Sequence, residues 1–467
     1  MFSHILASLK TRLRTLLAPP PLPLIHPTAA RWALQESDAN FVATDMFILT
    51  GMAAVANGAW CWFQDPRALV DTHSAEGPAL IVSSVSTTVD EQGLPRGANN
   101  ISIMPLEGGD VRHHQLEASL TRDDHNAAAL YQREDHRTVA VYTDHGHETQ
   151  SYGAISGRDH DQQWTPLPSV THRARVSYSN LFRAGENRLF NFTRSVGWNP
   201  NFLLSENAGE SWEYGGRLLK GEGRPYIQYA QGAGAVHFIA TEQHPRDHAN
   251  SIYHGIFDGV EVMSSDGQVT CDDIAGTGGI SPERLTKIFQ GSEEQVAWTV
   301  DITVDAEGYP VVIFSTRNGD DGVPAEKQGM DIRYHYARFD GAEWRVNELA
   351  HAGTRLYAEE ADYSGLAAID PEAPGTVVIS TNADPVTGAP LISTADEKRH
   401  WELFRGQTQD GGRSWTWQPL TANSTSDNIR PVIPSWPEGR RVILWMRGTY
   451  RSYKDWNTQI VGIQQDR

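Results

Sequence analysis

One short pattern occurs twice, far apart in the chain. Ser205-Glu-Asn-Ala-Gly-Glu-Ser-Trp (205–212) and Thr408-Gln-Asp-Gly-Gly-Arg-Ser-Trp (408–415) share the form Ser/Thr-x-Asp/Asn-x-Gly-x-Ser-Trp. It describes a tight hairpin: the Asp or Asn caps the turn, Gly takes a positive φ, and Trp packs into the next layer. Looser relatives are 161–164, ending on Trp164, and 339–344, ending on Trp344. Between them run short β-branched or aromatic segments bounded by Gly, Pro, Asp or Asn. Clear cases are 79–85, 138–142, 235–240, 310–314, 376–380 and 441–445. From about residue 40 onward no long stretch has the period of an amphipathic helix. Hairpins recurring in an all-β chain predict a β-propeller built of four-stranded blades.

Shared among seven blades, residues 40–467 give about 61 residues each, above the roughly 40–50 of a compact blade. Several loops are therefore long, and long loops on one face are where sites are built. Six or eight blades also satisfy the length. The expected organisation is a leader or extension over 1–38 and a single propeller over 39–467. Lys10, Arg12 and Arg14 break the apolar run at the start, which makes it a poor signal peptide. Localisation stays open on the sequence.

With 58 acidic and 39 basic residues the net charge is −19, which argues against a nucleic-acid partner. No segment reaches the roughly 20 apolar residues of a membrane span. Cys61 and Cys271 permit one bridge at most. A monomer is expected.

Chemistry is concentrated in a few short segments. His125 lies in Asp-Asp-His-Asn (123–126), His145 in Asp-His-Gly (144–146), and Tyr178 in Ser-Tyr-Ser-Asn (177–180). Arg194 lies in Phe-Thr-Arg-Ser (192–195) and Tyr226 in Arg-Pro-Tyr (224–226). Imidazole, phenol and guanidinium together can remove a proton beside a carboxylate and hold the charge that develops. A glycoside hydrolase more often uses paired carboxylates. An acidic glycan would be repelled by the mean field, so it requires a locally basic cleft.

The segment Gly58-Ala-Trp-Cys-Trp-Phe-Gln-Asp-Pro-Arg-Ala (58–68) resembles the opening signature of the BNR-repeat-containing propellers. With Asp-Asp-His-Asn (123–126), His-Pro-Arg (244–246), Asn-Ser-Ile-Tyr-His (250–254), Asn-Ile-Arg-Pro-Val (428–432) and Trp-Met-Arg-Gly-Thr-Tyr (445–450), the chain over about 45–465 is most similar to the ulvan lyases of that family. The resemblance implies a seven-bladed propeller that cleaves a sulfated rhamnose–uronate polysaccharide by β-elimination. It places His125, His145, Tyr178, Arg194 and Tyr226 on the family's catalytic positions.

Arg194 is then the neutraliser of the uronate carboxylate, sharing that task with His145. His125 is the first choice of base, and Tyr178 the second choice and the proton donor. Asn126, Trp198 and Arg224 are expected to contact sugar. The resemblance also makes His244 and His254 candidate ligands of a structural zinc; catalysis needs no cofactor. Trp60, Trp62 and Phe63 read as core, with Arg67 tied to nearby carboxylates. Two other functions fit the same scaffold: a rhamnosidase or sialidase-like hydrolase, and a non-catalytic glycan-binding propeller.

Overall fold

The computed structural model describes residues 46–49, 57–74, 77–158, 164–185 and 188–467. The expected leader, and residues 161–163 of one hairpin relative, lie outside them. The described strands form seven antiparallel sheets, the blades of a seven-bladed β-propeller.

Blade one comprises Ala68–Asp71, Ala79–Val89, Pro95–Pro105 and Arg112–Thr121. Blade two comprises Ala129–Gln132, Thr138–Thr143, Gln150–Ile155 and Thr165–Thr171. Blade three comprises Leu181–Ala184, Arg188–Arg194, Pro200–Ser205 and Glu213–Arg217. Blade four opens with Ile227–Gln231, Val236–Ala240 and Ile252–Phe257 and carries six strands in all. Blade five runs from Gln295–Val304 to Trp344–Gly353, and blade six from Ala367–Ile369 to Thr416–Pro419. In blade seven, Asp427–Val432, Arg440–Ser452 and Asp455–Asp466 are joined at the outer edge by Met46–Leu49 from the other end of the chain. That pairing closes the ring and covers a sheet edge.

The two copies of the repeated pattern connect the third and fourth strands of blades three and six. In the second copy Asp410 Oδ1 accepts from the backbone N–H of Arg413 and of Ser414, both at 3.0 Å. Gly412 takes φ +90° and Trp415 is buried. All six apolar segments picked out above lie in second strands, of blades one, two, four, five, six and seven. These strands are covered on both faces by neighbouring blades, so their residues are buried almost without alternation.

Trp60, Trp62 and Phe63 are core, and Arg67 pairs with Asp65 at 3.3 Å. First strands of six blades, all but blade two, contribute to the lining of a central cavity of about 920 Å³. Because strands alternate in direction, the start of each first strand and the end of each second strand lie on one face of the ring. Every residue of the site described next comes from one of those two places.

Candidate active site

His125 sits in a 3-10 turn, Asp124–Asn126, just ahead of blade two. Tyr178 precedes the first strand of blade three and Tyr226 that of blade four. Arg194 ends the second strand of blade three, and His145 follows the second strand of blade two. The topology therefore brings all five onto one face, from three blades.

Asp123 organises the two histidines. Its Oδ1 accepts from the His125 backbone N–H at 3.0 Å and lies 2.6 Å from His125 Nδ1. Its Oδ2 lies 3.0 Å from His145 Nδ1. The rings stack with centroids 4.2 Å apart. Arg194 fixes the tautomer of His145. Its Nη2 is 3.1 Å from His145 Nε2, and a guanidinium can only donate. His145 Nε2 therefore carries the lone pair, and Nδ1–H donates to Asp123.

Titration follows from these contacts. Burial lowers the pKa of His145 to about 4; His125 and Arg194 add to the effect and Asp123 opposes it. His145 is thus neutral, so it orients Arg194 and does not share in neutralising a carboxylate as the sequence suggested. Burial also opposes the imidazolium of His125. The acidic groups around it, Cys61, Asp123, Tyr178 and Asp124, outweigh burial and raise its pKa well above 6.5. Burial works against the charge of Asp123 as well, but the two imidazoles hold its carboxyl far below the usual range. Burial keeps Tyr178 a neutral phenol, against the opposing pull of Arg194.

Arg194 is 6% exposed and has no carboxylate partner among the described residues. Its Nη1 donates to the Tyr226 hydroxyl at 2.9 Å, and its Nε is buried without a partner. Its Cζ lies 4.6, 5.3 and 5.5 Å from the ring centroids of Tyr178, Tyr226 and Trp198. Tyr178 holds φ +66° and Trp198 φ +58°, a left-handed conformation that costs non-glycine residues about 1–3 kcal/mol each. Tyr178 is kept there by paired backbone hydrogen bonds of 2.8 Å between Ser177 and Arg194.

The other expected residues divide. Trp198 is 43% exposed at the rim, placed to stack on a ring. Arg224 is half-buried and pairs with Asp247 at 3.3 Å. Asn126 is fully buried. Its Oδ1 accepts from the His145 backbone N–H at 2.7 Å and its Nδ2 donates to Thr121 O at 2.8 Å. It braces the histidine loops and is sealed from ligand, which corrects its placement as a sugar contact.

The zinc pair does not fit either. His254 is fully buried, with Nε2 3.2 Å from His237 Nδ1 and Nδ1 2.8 Å from Ser265 Oγ. His244 accepts at Nδ1 from the Arg246 backbone N–H at 3.1 Å, and its ring meets Tyr226 and Trp298. Among the described residues neither belongs to a cluster of three potential ligands; such clusters involve Cys61, Asp124 and His125, or Asp123, His125 and His145. Cys61 and Cys271 are both free and buried.

Sequence reasoning passed over Asp123, although it stands in the motif that singled out His125. It also passed over Asp124, Arg430 and Tyr450, which meet beneath His125 through contacts of long sequence separation.

A seven-bladed propeller with a His–Tyr–Arg cluster at one mouth defines the class. Residues 97–352, more than half of the chain, match the BNR repeat-containing family, and the chain belongs to that family. No curated protein matches the sequence. Among solved structures, an ulvan lyase of polysaccharide lyase family PL25, bound to –[GlcA(1-4)Rha3S]–, is similar with a TM-score of 0.58 at 14% identity. That match covers 86% of this chain and 93% of the other. The polysaccharide lyase Uly1 is similar with a TM-score of 0.54 at 11% identity, covering 91% and 98%. At these identities the likeness is one of fold.

Proposed function

We propose that this protein is a polysaccharide lyase. It cleaves an acidic rhamnose–uronate glycan, ulvan-like and sulfated, by β-elimination at the uronate. The observation that carries this reading is Arg194, a buried guanidinium with a donor fork and no carboxylate among the described residues. A buried unpaired cation is costly, and a substrate carboxylate would complete it bidentately. Neutralising that carboxylate acidifies the proton on C5.

His125 is the base. In its neutral form Nδ1–H donates to Asp123, and Nε2 has no partner among the described residues. As Nε2 takes the C5 proton, the new imidazolium is stabilised by Asp123 and Asp124. The electron pair of the C5–H bond forms the C4–C5 double bond, and the C4–O bond breaks. The Tyr178 hydroxyl gives its proton to the leaving oxygen, and Arg194 stabilises the resulting phenolate. Proton return from His125 to Tyr178 through solvent restores the site. Trp198 stacks on a sugar ring.

The carboxylates nearest the histidines support elimination over hydrolysis. Asp123 is committed to two imidazoles, and Asp124 to Arg430 and Tyr450. A hydrolytic reading would rest on Glu360, whose pKa is raised by burial, but its Oε1 is held by Arg246 at 2.9 Å and its Oε2 lies 4.0 Å from His244 Nε2. Its neighbour Asp362 is likewise tied, to Arg317 at 2.7 Å. The fold shared with ulvan lyases adds support for the substrate class.

The test is ultraviolet absorbance during incubation with ulvan, beside an Arg194→Ala control. A rise that the variant lacks is the expected result. A rise only with another rhamnose–uronate glycan changes the substrate. No rise with any uronate polymer overturns the lyase reading.

A further inference from the structure

Asp124 stands next to the base and ties it to a buried arginine from the other end of the chain. It is fully buried, and its Oδ1 lies 3.0 Å from His125 Nδ1. Its Oδ2 accepts from Arg430 Nη1 at 2.5 Å and from the Tyr450 hydroxyl at 2.6 Å. Arg430 is 1% exposed and comes from the first strand of blade seven, far from His125 in sequence. Its Nη1 also donates to Trp60 O at 2.5 Å and its Nη2 to the Tyr450 hydroxyl at 2.7 Å. Its backbone is held at φ +54°, with N–H donating to Gly365 O at 2.7 Å. So many contacts on a strained residue leave the guanidinium one position.

We propose that Arg430 is the positioning residue of His125, acting through Asp124. Its charge offsets one of the two carboxylates that face the imidazole, and its Nη1, held on Oδ2, keeps Asp124 Oδ1 beside Nδ1. His125 can then hold the C5 proton and still release it. Without Arg430, two uncompensated carboxylates would grip the imidazolium.

The groups that face His125 are Asp123 and Asp124 on its own turn, Cys61 ahead of blade one, and His145 from blade two. Tyr178 faces it from ahead of blade three and Tyr453 from blade seven. Arg430 is the cation tied to Asp124.

The proposal rests on His125 as the base, so its test includes a readout independent of turnover. The imidazole resonances are titrated by NMR, with His125 assigned through its loss in His125→Gln. In Arg430→Met the His125 midpoint moves up by about one pH unit. Tyr450→Phe moves it less, in the same direction, and Arg430→Lys leaves it near the parent. The acid limb of the pH–rate profile moves with it. An unmoved or lowered midpoint in folded Arg430→Met overturns the proposal. If that variant does not fold, an unmoved midpoint in Tyr450→Phe overturns it. The expected shifts in a protein that makes no unsaturated product would uphold this inference and sink the lyase reading.

Discussion

Two pairs of buried histidines lie in different parts of the ring, and they hold protons in opposite ways. His125 and His145 share Asp123 and sit beside Asp124 and Arg194. His237 and His254 bond to each other at 3.2 Å, with Ser265 and Trp344 completing the cluster and no carboxylate in it. Burial lowers His237 to about 4 and His254 well below 6.5. The same burial fails to lower His125, because the acidic groups around it outweigh it. Burial alone therefore makes a silent histidine. A ring of acidic groups, Cys61 and then the shared Asp123 foremost, raises one member of a pair and leaves the other a neutral prop. Only the first pair sets a basic imidazole beside carboxylates that stabilise its protonated form.

The largest effects separate the pairs by turnover. Arg194→Ala lowers kcat by about 10³-fold or more, read from initial rates of unsaturated ends, whereas His254→Gln leaves the rate within about threefold. Equal losses in both would erase the contrast. Asp123→Asn removes the bridge. It lowers kcat by about 10²-fold and brings the His125 NMR midpoint down towards that of His237. An unmoved midpoint would deny the bridge its role.

Stability sharpens the comparison through its sign. The folded pKa of His237, about 4, lies below the unfolded value near 6.5. Below that unfolded value the unfolded chain binds a proton that the folded one does not. The contribution of His237 is whole above about 6.5 and is lost as pH falls towards 4. In urea unfolding, His237→Gln is expected to lose about 1–3 kcal/mol less than the parent over that window. His125 has the reverse sign: its contribution is present below about 6.5 and is lost as pH rises through its raised folded value. The smallest effect is at the rim. Trp198→Ala raises KM about three- to tenfold, with unfolding free energy within about 0.5 kcal/mol of the parent.

The second strands were the legible part of the fold. They are apolar throughout because blades cover both faces, and six of the seven were visible as apolar runs. The exception, Arg188–Arg194, carries buried Asn191 between its phenylalanines and buried Thr193 after them, so it does not read as an apolar run. The repeated hairpin was legible because its Asp, Gly and Trp each answer a local need of the turn. In the site, the five residues that come together were named from motifs. What each motif residue touches was not legible, because the contacts cross the ring. Asn126 reads as a ligand until its amide is seen holding the His145 loop. His244 and His254 read as a metal pair until their ring nitrogens are seen bonded elsewhere. Arg430 stood in a motif with no stated task, because its partner Asp124 is on the far side of the sequence.

The central claim is that the bond breaks by elimination. The direct measurement is mass analysis of the fragments of an ulvan digest. Elimination adds no water, so the account predicts that each cut leaves one end lighter by a water than a hydrolytic cut would. Fragments whose ends all carry the full hydrolytic mass would contradict it.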